Sequence, residues 1–235
     1  MTRQVVLDTE TTGLNAKLGD RVIEIGCVEI LDRRISDRIF HAYLNPEREV
    51  ELGATRVHGL TREDLMAKPK FAEVAKDFLE FVAGAEIIIH NADFDVEFLD
   101  LELGRARLKA FREHVGSITD TLFLSRELNP GRKASLDALC ERYGVDNTRR
   151  TIHGALLDAQ LLADCWVAMT RGQETLDILM AESGAPSVPI GQPGTRPAIR
   201  VLRATVEELA AHAALCERLA KAAGGRCVWN EPAPA

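Results

Sequence analysis

The stretch VVLDTETTGLN, residues 5–15, joins three apolar residues to two carboxylates one residue apart, Asp8 and Glu10. A run of Val and Leu of this kind is typical of a strand. In a strand, residues i and i+2 point to the same face, so the two carboxylates lie side by side. Two like charges in this arrangement repel each other unless a cation or a proton lies between them. The pair is therefore either the solvated end of an ordinary edge strand or part of a cation site.

The composition indicates a globular protein with one sizeable core and a possible appendage. The chain has 235 residues, of which 46% are hydrophobic and 28% are charged. No apolar run approaches the roughly 20 residues of a membrane span, and the N-terminus lacks the order of a secretory signal. We therefore expect a cytoplasmic protein with no membrane partner. The five scattered cysteines form no CxxC pair, which indicates reduced core thiols.

The formal net charge of −7 argues against a broad nucleic-acid surface. It is compatible with a local site in which bound divalent ions offset clustered acids. Basic residues are concentrated at 104–114 and again at Arg132, Lys133, Arg149 and Arg150. We interpret each of these clusters as a solvated helix face or loop.

Apolar periodicity predicts three strands followed by alternating helices and strands. Residues 21–30 alternate polar and apolar side chains, as a half-buried strand does. Residues 71–82 repeat apolar side chains at helical spacing. This order predicts an α/β fold in which helices flank a mixed sheet. The predicted strands are 4–7, 21–30, 38–44 and 86–89. The predicted helices include one from Phe71 that stops at Gly84, one over 96–103, one between the caps Ser135 and Gly144, and one that begins at Gly154.

The composition changes after residue 172. Residues 183–199 are dense in Gly, Pro and Ser, which is typical of a flexible linker. Beyond them, Thr205 and Glu208 form the capping box of a helix that is too short to make a core alone. This helix must dock on its own domain or on a partner. The predicted organisation is a domain over 1–172, a linker over 173–199 and a C-terminal binding segment over 200–235.

Three further side chains are candidates for the same site as Asp8 and Glu10. Asp95 follows a buried-strand pattern, and open α/β sheets usually build their sites beyond the end of such a strand. Asp158 lies in an apolar helix, and His153 stands five residues before it. Each residue alone has an ordinary role as a helix-terminal or solvent-facing group. Together, four carboxylates and an imidazole are what two divalent ions and a general base require, and Mg²⁺ or Mn²⁺ prefers such ligands.

Three motifs, VLDTETTG, HNADFD and HGALLDA, closely resemble the exonuclease motifs of the DEDD superfamily, in the branch with a catalytic His. The resemblance covers residues 4–171 and is nearest to the proofreading subunits of bacterial DNA polymerase III. It implies an RNase H-like fold and removal of 3′-terminal nucleotides from single-stranded or frayed DNA ends. It also implies that Asp8, Glu10, Asp95 and Asp158 hold two metal ions and that His153 is the general base.

The resemblance further implies a pocket for the 3′-terminal nucleotide beside the acids. Some relatives carry a Glu five residues before the His of this pocket, whereas this sequence has Gly53 there and offers Glu51 as a replacement. Besides Asp8, Glu10 and Asp158, the implied nucleotide-contacting residues are Thr11, Gly13, Leu14, His58 and Asn91.

The tail favours a polymerase subunit over a stand-alone 3′→5′ RNase or a repair exonuclease, and the retention of all four acids and the His favours an enzyme over a catalytically idle scaffold that uses the tail for binding. Stand-alone enzymes of the superfamily need no linker and orphan helix. The resemblance implies that the tail tethers the chain to the alpha subunit of DNA polymerase III, with Trp229 as a candidate anchor. Residues 173–178, QETLDI, resemble the peptide that inserts into the beta sliding clamp through Gln173, Leu176 and Ile178.

Overall fold

The computed structural model describes residues 2–171, residues 204–222 and residue 224. The chain divides into two units, Met1–Gly184 and Ala185–Ala235. The predicted linker, the clamp peptide and Trp229 lie outside the described residues. The predicted domain boundaries therefore stay predictions. In the part of the chain that is described, no helix combines the length and the apolar character needed to cross a membrane.

Five strands form one mixed sheet in the order β3-β2-β1-β4-β5. The first three strands pair antiparallel, while β4 pairs parallel with β1 and with β5. The predicted mixed α/β fold is confirmed, with β1 at the centre of the sheet. The strands are β1 Arg3–Thr11, β2 Val22–Leu31, β3 Arg34–Tyr43, β4 Glu86–Ile89 and β5 Ser117–Asp120.

Helices cover both faces of this sheet, and the alternation of side chains in β1 assigns its residues to two apolar clusters. Val5 and Leu7 join the cluster that contains residues of α3 and α4. Val6 joins the cluster that contains residues of α6 and α7. The described helices are α1 Leu52–His58, α2 Arg62–Leu65, α3 Phe71–Val82, α4 Ala92–Arg105, α5 Thr121–Leu128, α6 Leu136–Tyr143, α7 Ala155–Met169 and α8 Val206–Ala222.

Three helix ends have the caps that the sequence predicts. Ser135 accepts a hydrogen bond from the Ala138 N–H at the start of α6, and Gly144 ends that helix in the left-handed conformation. Thr205 and Glu208 exchange the two bonds of a capping box at the start of α8.

The predicted start of α4 at residue 96 is wrong, because the helix begins at Ala92. Asn91 enters the helix with φ 71°, and the Asp120 carboxylate at the end of β5 accepts bonds from the N–H groups of Asn91 and Ala92. The periodicity of the helix sequence cannot predict a cap that a residue of another strand provides. Asp95 therefore lies in the first turn of α4 instead of in a preceding turn.

Gly26 in β2 allows the start of α7 to pack against the sheet. A Cβ atom there would lie 2.3 Å from the carbonyl carbon of Ala155 and 2.3 Å from the nitrogen of Leu156. Gly26 is also the partner of Asp8 across the β1–β2 pair, so both face the same side. The absence of a side chain at Gly26 thus brings the first turn of α7 over the strand that carries the two carboxylates.

We expect Gly26→Ala to lower the free energy of unfolding by about 1 to 3 kcal/mol, because the new methyl group would push α7 away from β2. Chemical denaturation of the two proteins measures the difference. Gly104→Ala is the matched control, since a Cβ atom at Gly104 meets nothing within 4 Å. Equal stabilities of Gly26→Ala and the original protein would contradict this interpretation of the contact.

Candidate active site

The end of β1 presents side chains to both faces of the sheet. Asp8 and Glu10 share the face of Val6, toward α7, so the predicted side-by-side placement of these two acids agrees with the strand geometry. Thr9 points to the opposite face, where its hydroxyl donates a hydrogen bond of 2.6 Å to Asp95 Oδ1. One strand end therefore reaches acids on α4 and α7 at once.

All five of the predicted catalytic residues line one cavity of about 560 Å³. The acids come from three elements: Asp8 and Glu10 from β1, Asp95 from α4 and Asp158 from α7. His153 stands two residues before the start of α7, and its side chain is 46% exposed. Asn91, predicted to contact substrate, lies in the same cavity.

Glu10, His153 and Asp158 have the spacing of a metal site. Each offers one ligand atom, and these atoms all lie within 4.8 Å of one another. Two carboxylates and an imidazole suit a divalent cation, and Asp8 and Asp95 supply further carboxylates to the same cavity. The residues present therefore fit a bound divalent metal ion.

The electrostatics of the cavity also favour a bound cation. Burial, followed by the charges of Asp158 and Glu24, raises the pKa of Glu10 from 4.5 to about 8. Burial raises the pKa of Asp95 to about 7. Burial and the neighbouring acids together hold the pKa of Asp8 well above its usual value. Carboxylates packed in this way bind either protons or a cation at neutral pH.

Arg150 is the site residue that the sequence analysis missed. The expectation that it belongs to a solvated basic cluster is wrong, because its side chain is only 8% exposed. Its guanidinium donates from Nε to Asp158 Oδ1 at 2.6 Å and from Nη2 to Oδ2 at 2.7 Å. The same group bonds His153 Nδ1 at 3.0 Å and Asp137 Oδ1 at 2.7 Å. The loop before α7 makes these contacts, and no local sequence pattern encodes them.

A second cavity of about 370 Å³ holds most of the residues predicted to contact the terminal nucleotide. It shares Thr9, Glu10 and Phe94 with the first cavity, so the two spaces adjoin at the acids. Leu14 at its edge is 84% exposed. The predicted nucleotide-contacting residues that line it are Glu10, Thr11, Gly13, Leu14 and His58, and Glu51 and Gly53 also lie on its wall.

Glu51 lies on the wall of the second cavity, beside Gly13. Its Cδ atom would lie 2.7 Å from a Cβ atom built on Gly13, so its carboxylate end reaches the wall of the second cavity. Gly53 leaves open space, since a Cβ atom there would meet nothing within 4 Å. Burial lowers the pKa of His58 on the same cavity wall, which favours a neutral imidazole.

Comparison with known proteins agrees with this geometry. The sequence model of the family described as Exonuclease (RNase_T) matches residues 5–165. DNA polymerase III subunit epsilon of Salmonella typhimurium is 44% identical over 241 residues, 98% of each chain. The Escherichia coli K12 subunit is 44% identical over 242 residues, again 98% of each chain. The chain belongs to the exonuclease family of DNA polymerase III epsilon subunits.

Solved structures of other exonucleases share the fold of this epsilon-family chain. Exonuclease X in complex with 5′ overhanging duplex DNA has a TM-score of 0.57 and 25% identity, covering 73% of this chain and 93% of its own. E. coli Exonuclease I in complex with a dT13 oligonucleotide has a TM-score of 0.66 and 18% identity, covering 77% and 44%. The predicted RNase H-like exonuclease fold is confirmed. The exonuclease family is divalent-metal dependent, in agreement with the fit of the site.

The raised pKa of Glu10 predicts how the stability of the metal-free epsilon-family protein changes with pH. Between 4.5 and about 8 the folded protein keeps a proton that the unfolded chain has lost, so this contribution to stability falls as pH rises. A glutamine side chain cannot bind this proton. We therefore expect the free energy of unfolding of Glu10→Gln to fall by up to about 1.4 kcal/mol less per pH unit than that of the original protein.

Urea unfolding with a chelator present, from pH 5 to pH 8, measures this dependence. Asp93→Asn removes a negative charge from an exposed position of α4 and is the control for a general charge effect. A stability profile of Glu10→Gln parallel to that of the original protein would contradict the assignment.

Proposed function

We propose that this chain is the proofreading 3′→5′ exonuclease of a bacterial DNA polymerase III and removes mismatched 3′-terminal nucleotides from DNA. One observation carries the proposal: the four acids and the His of the predicted catalytic set line a single cavity. Similarity to epsilon subunits over 98% of the chain, tail included, supports the polymerase context over a stand-alone RNase or repair exonuclease.

The proposed chemistry is hydrolysis of the terminal phosphodiester bond. Asp8, Glu10, Asp95 and Asp158 would hold two divalent ions, Mg²⁺ or Mn²⁺, which when bound activate water and stabilise the charge on the leaving 3′-oxygen. The side chain of His153 is half-exposed at the same cavity, where an imidazole can accept the proton of the attacking water. Thr9 fixes the orientation of Asp95 through its hydrogen bond.

The second cavity is the proposed pocket for the 3′-terminal nucleotide. It adjoins the acids through Glu10, so a nucleotide bound there would present its phosphate to the first cavity. The exposed Leu14 is placed to wedge against the base, and Glu51 is the proposed partner of the 3′-hydroxyl. A mismatched base is already unstacked, so entry into the pocket costs it less than it costs a paired base.

We expect Asp8→Ala to abolish cleavage of labelled single-stranded and mismatched-end DNA with Mg²⁺ present, because a metal ligand is lost. His153→Gln is expected to lower the cleavage rate by about 10²- to 10⁴-fold, the usual contribution of a positioned base. The exposed Asp93→Asn is the control and should cleave normally.

Two outcomes of this assay would overturn the proposal. Equal degradation by the original protein and Asp8→Ala would exclude the acid cluster as the catalytic site. Faster degradation of matched RNA than of DNA would favour the stand-alone RNase over the proofreading enzyme.

The partner contacts of the proposal rest on the tail. We propose that residues 200–235 bind the alpha subunit, with Trp229 as anchor, and that Gln173, Leu176 and Ile178 contact the beta sliding clamp. A flexible tether raises the effective concentration of the exonuclease at the primer end. It also accounts for the net charge of −7, since the partner supplies most of the DNA affinity. The proposed location is the cytoplasm, at the replisome.

We expect truncation after residue 185 to abolish copurification with the alpha subunit while leaving exonuclease activity on single-stranded DNA, because the catalytic residues precede the cut. In the same assay with the clamp as bait, the double variant Gln173→Ala and Leu176→Ala should lose clamp binding but keep the alpha subunit. Retention of the alpha subunit by the truncated chain, or of the clamp by the double variant, would disprove the respective contact.

A further inference from the structure

The side chain of Arg150 lies inside the acid cluster of the proposed metal site. Its guanidinium contacts both carboxylate oxygens of Asp158, at 2.6 and 2.7 Å. Such a paired contact is a strong, charge-assisted interaction with fixed geometry. Asp158 is one of the three side chains whose ligand atoms all lie within 4.8 Å of one another, as the ligands of one metal ion do. A guanidinium and a divalent ion therefore compete for the same ligand.

The contact between Arg150 and His153 has a similar consequence. A guanidinium has only donors, so the 3.0 Å contact of Arg150 Nη2 with His153 Nδ1 is a hydrogen bond in the tautomer whose Nδ1 carries the lone pair; the same Nδ1 lies 3.4 Å from Asp158 Oδ2. In that tautomer Arg150 engages the lone pair of His153 Nδ1. One side chain thus engages both a proposed metal ligand and a nitrogen of the proposed general base.

We propose that Arg150 is an internal cation that occupies Asp158 and His153 in the metal-free protein and is displaced from both when a divalent ion binds. This inference rests on the proposed function, which places a metal ion at Asp158. The contact of Arg150 Nη1 with Asp137, at 2.7 Å, involves a carboxylate that is not among the four acids. Arg150 therefore keeps one partner after it leaves Asp158. Under this proposal Arg150 keeps the enzyme inactive without metal. The ion that takes its place at Asp158 also frees His153.

The first test measures metal affinity by calorimetric titration with Mn²⁺, with no DNA present. Removing the competitor in Arg150→Gln should tighten metal binding about tenfold, in line with the strength of a hydrogen bond to a charged group. Arg132→Gln removes the same charge from a position that lines neither of the two cavities and is the control. Unchanged or weaker binding by Arg150→Gln would overturn the proposal.

Arg150→Lys separates displacement from simple charge repulsion. Lysine keeps the positive charge but cannot form the two parallel bonds of the guanidinium. Displacement predicts that Arg150→Lys also binds Mn²⁺ more tightly than the original protein. Equal affinities of Arg150→Lys and the original protein would mean that Arg150 acts through its charge alone, which would overturn the proposal.

The last test uses the original protein, so it does not depend on the folding of a variant. The Nε–H of Arg150 donates to Asp158 Oδ1, and NMR of ¹⁵N-labelled arginine side chains follows this group. Titration with Mg²⁺ should shift its resonance and accelerate its exchange with water. A resonance that stays unchanged while Mg²⁺ saturates the protein and DNA is cleaved would overturn the role of Arg150 alone. A protein that neither binds Mg²⁺ nor cleaves DNA would overturn the proposed function as well.

Discussion

Electrostatic repulsion among buried carboxylates is the constraint on which this structure depends. Asp8, Glu10, Asp95 and Asp158 line one cavity, and burial and proximity raise the pKa of the first three. Like charges in a site of low polarity are costly unless protons or cations compensate them. The fold tolerates the cluster because Arg150 supplies one positive charge and a hydroxyl supplies a donor to Asp95. Metal binding would complete the compensation and make the cluster reactive.

The central strand β1 connects this constraint to the rest of the fold. Its even-numbered residues run from the apolar Val6 to the acids on the face of α7, and its odd-numbered residues run from Val5 to Thr9 on the face of α4. The strand is therefore a core element and a site element at once. Gly26 on the neighbouring strand allows α7 to approach closely enough for Asp158 to join the acids. The packing of α7 against β2 thus keeps the acids of the site close to one another.

Much of the fold and of the site could be predicted because their signals are local. The alternation in residues 5–15, the caps at Ser135 and Thr205 and the helical spacing at 71–82 each depend on a few neighbouring residues, and all agree with the structure. The start of α4 could not be predicted in this way, because the cap that Asp120 provides comes from another strand. The three motifs predict four acids and a His as one site, and the structure brings these five residues to one cavity.

The order of residues by itself determined most of the elements, because strand alternation and capping act over a few positions, and the resemblance of three motifs indicated the exonuclease family and the set of acids. Only the tertiary structure decided the contacts of Arg150, because the local composition predicts one more exposed basic residue at this position. Its contacts with Asp158 and Asp137 join a loop to two different helices, and no short pattern records such a meeting. The charge balance of the site is therefore a property of the folded chain, whereas the need for that balance is already present in Asp8 and Glu10.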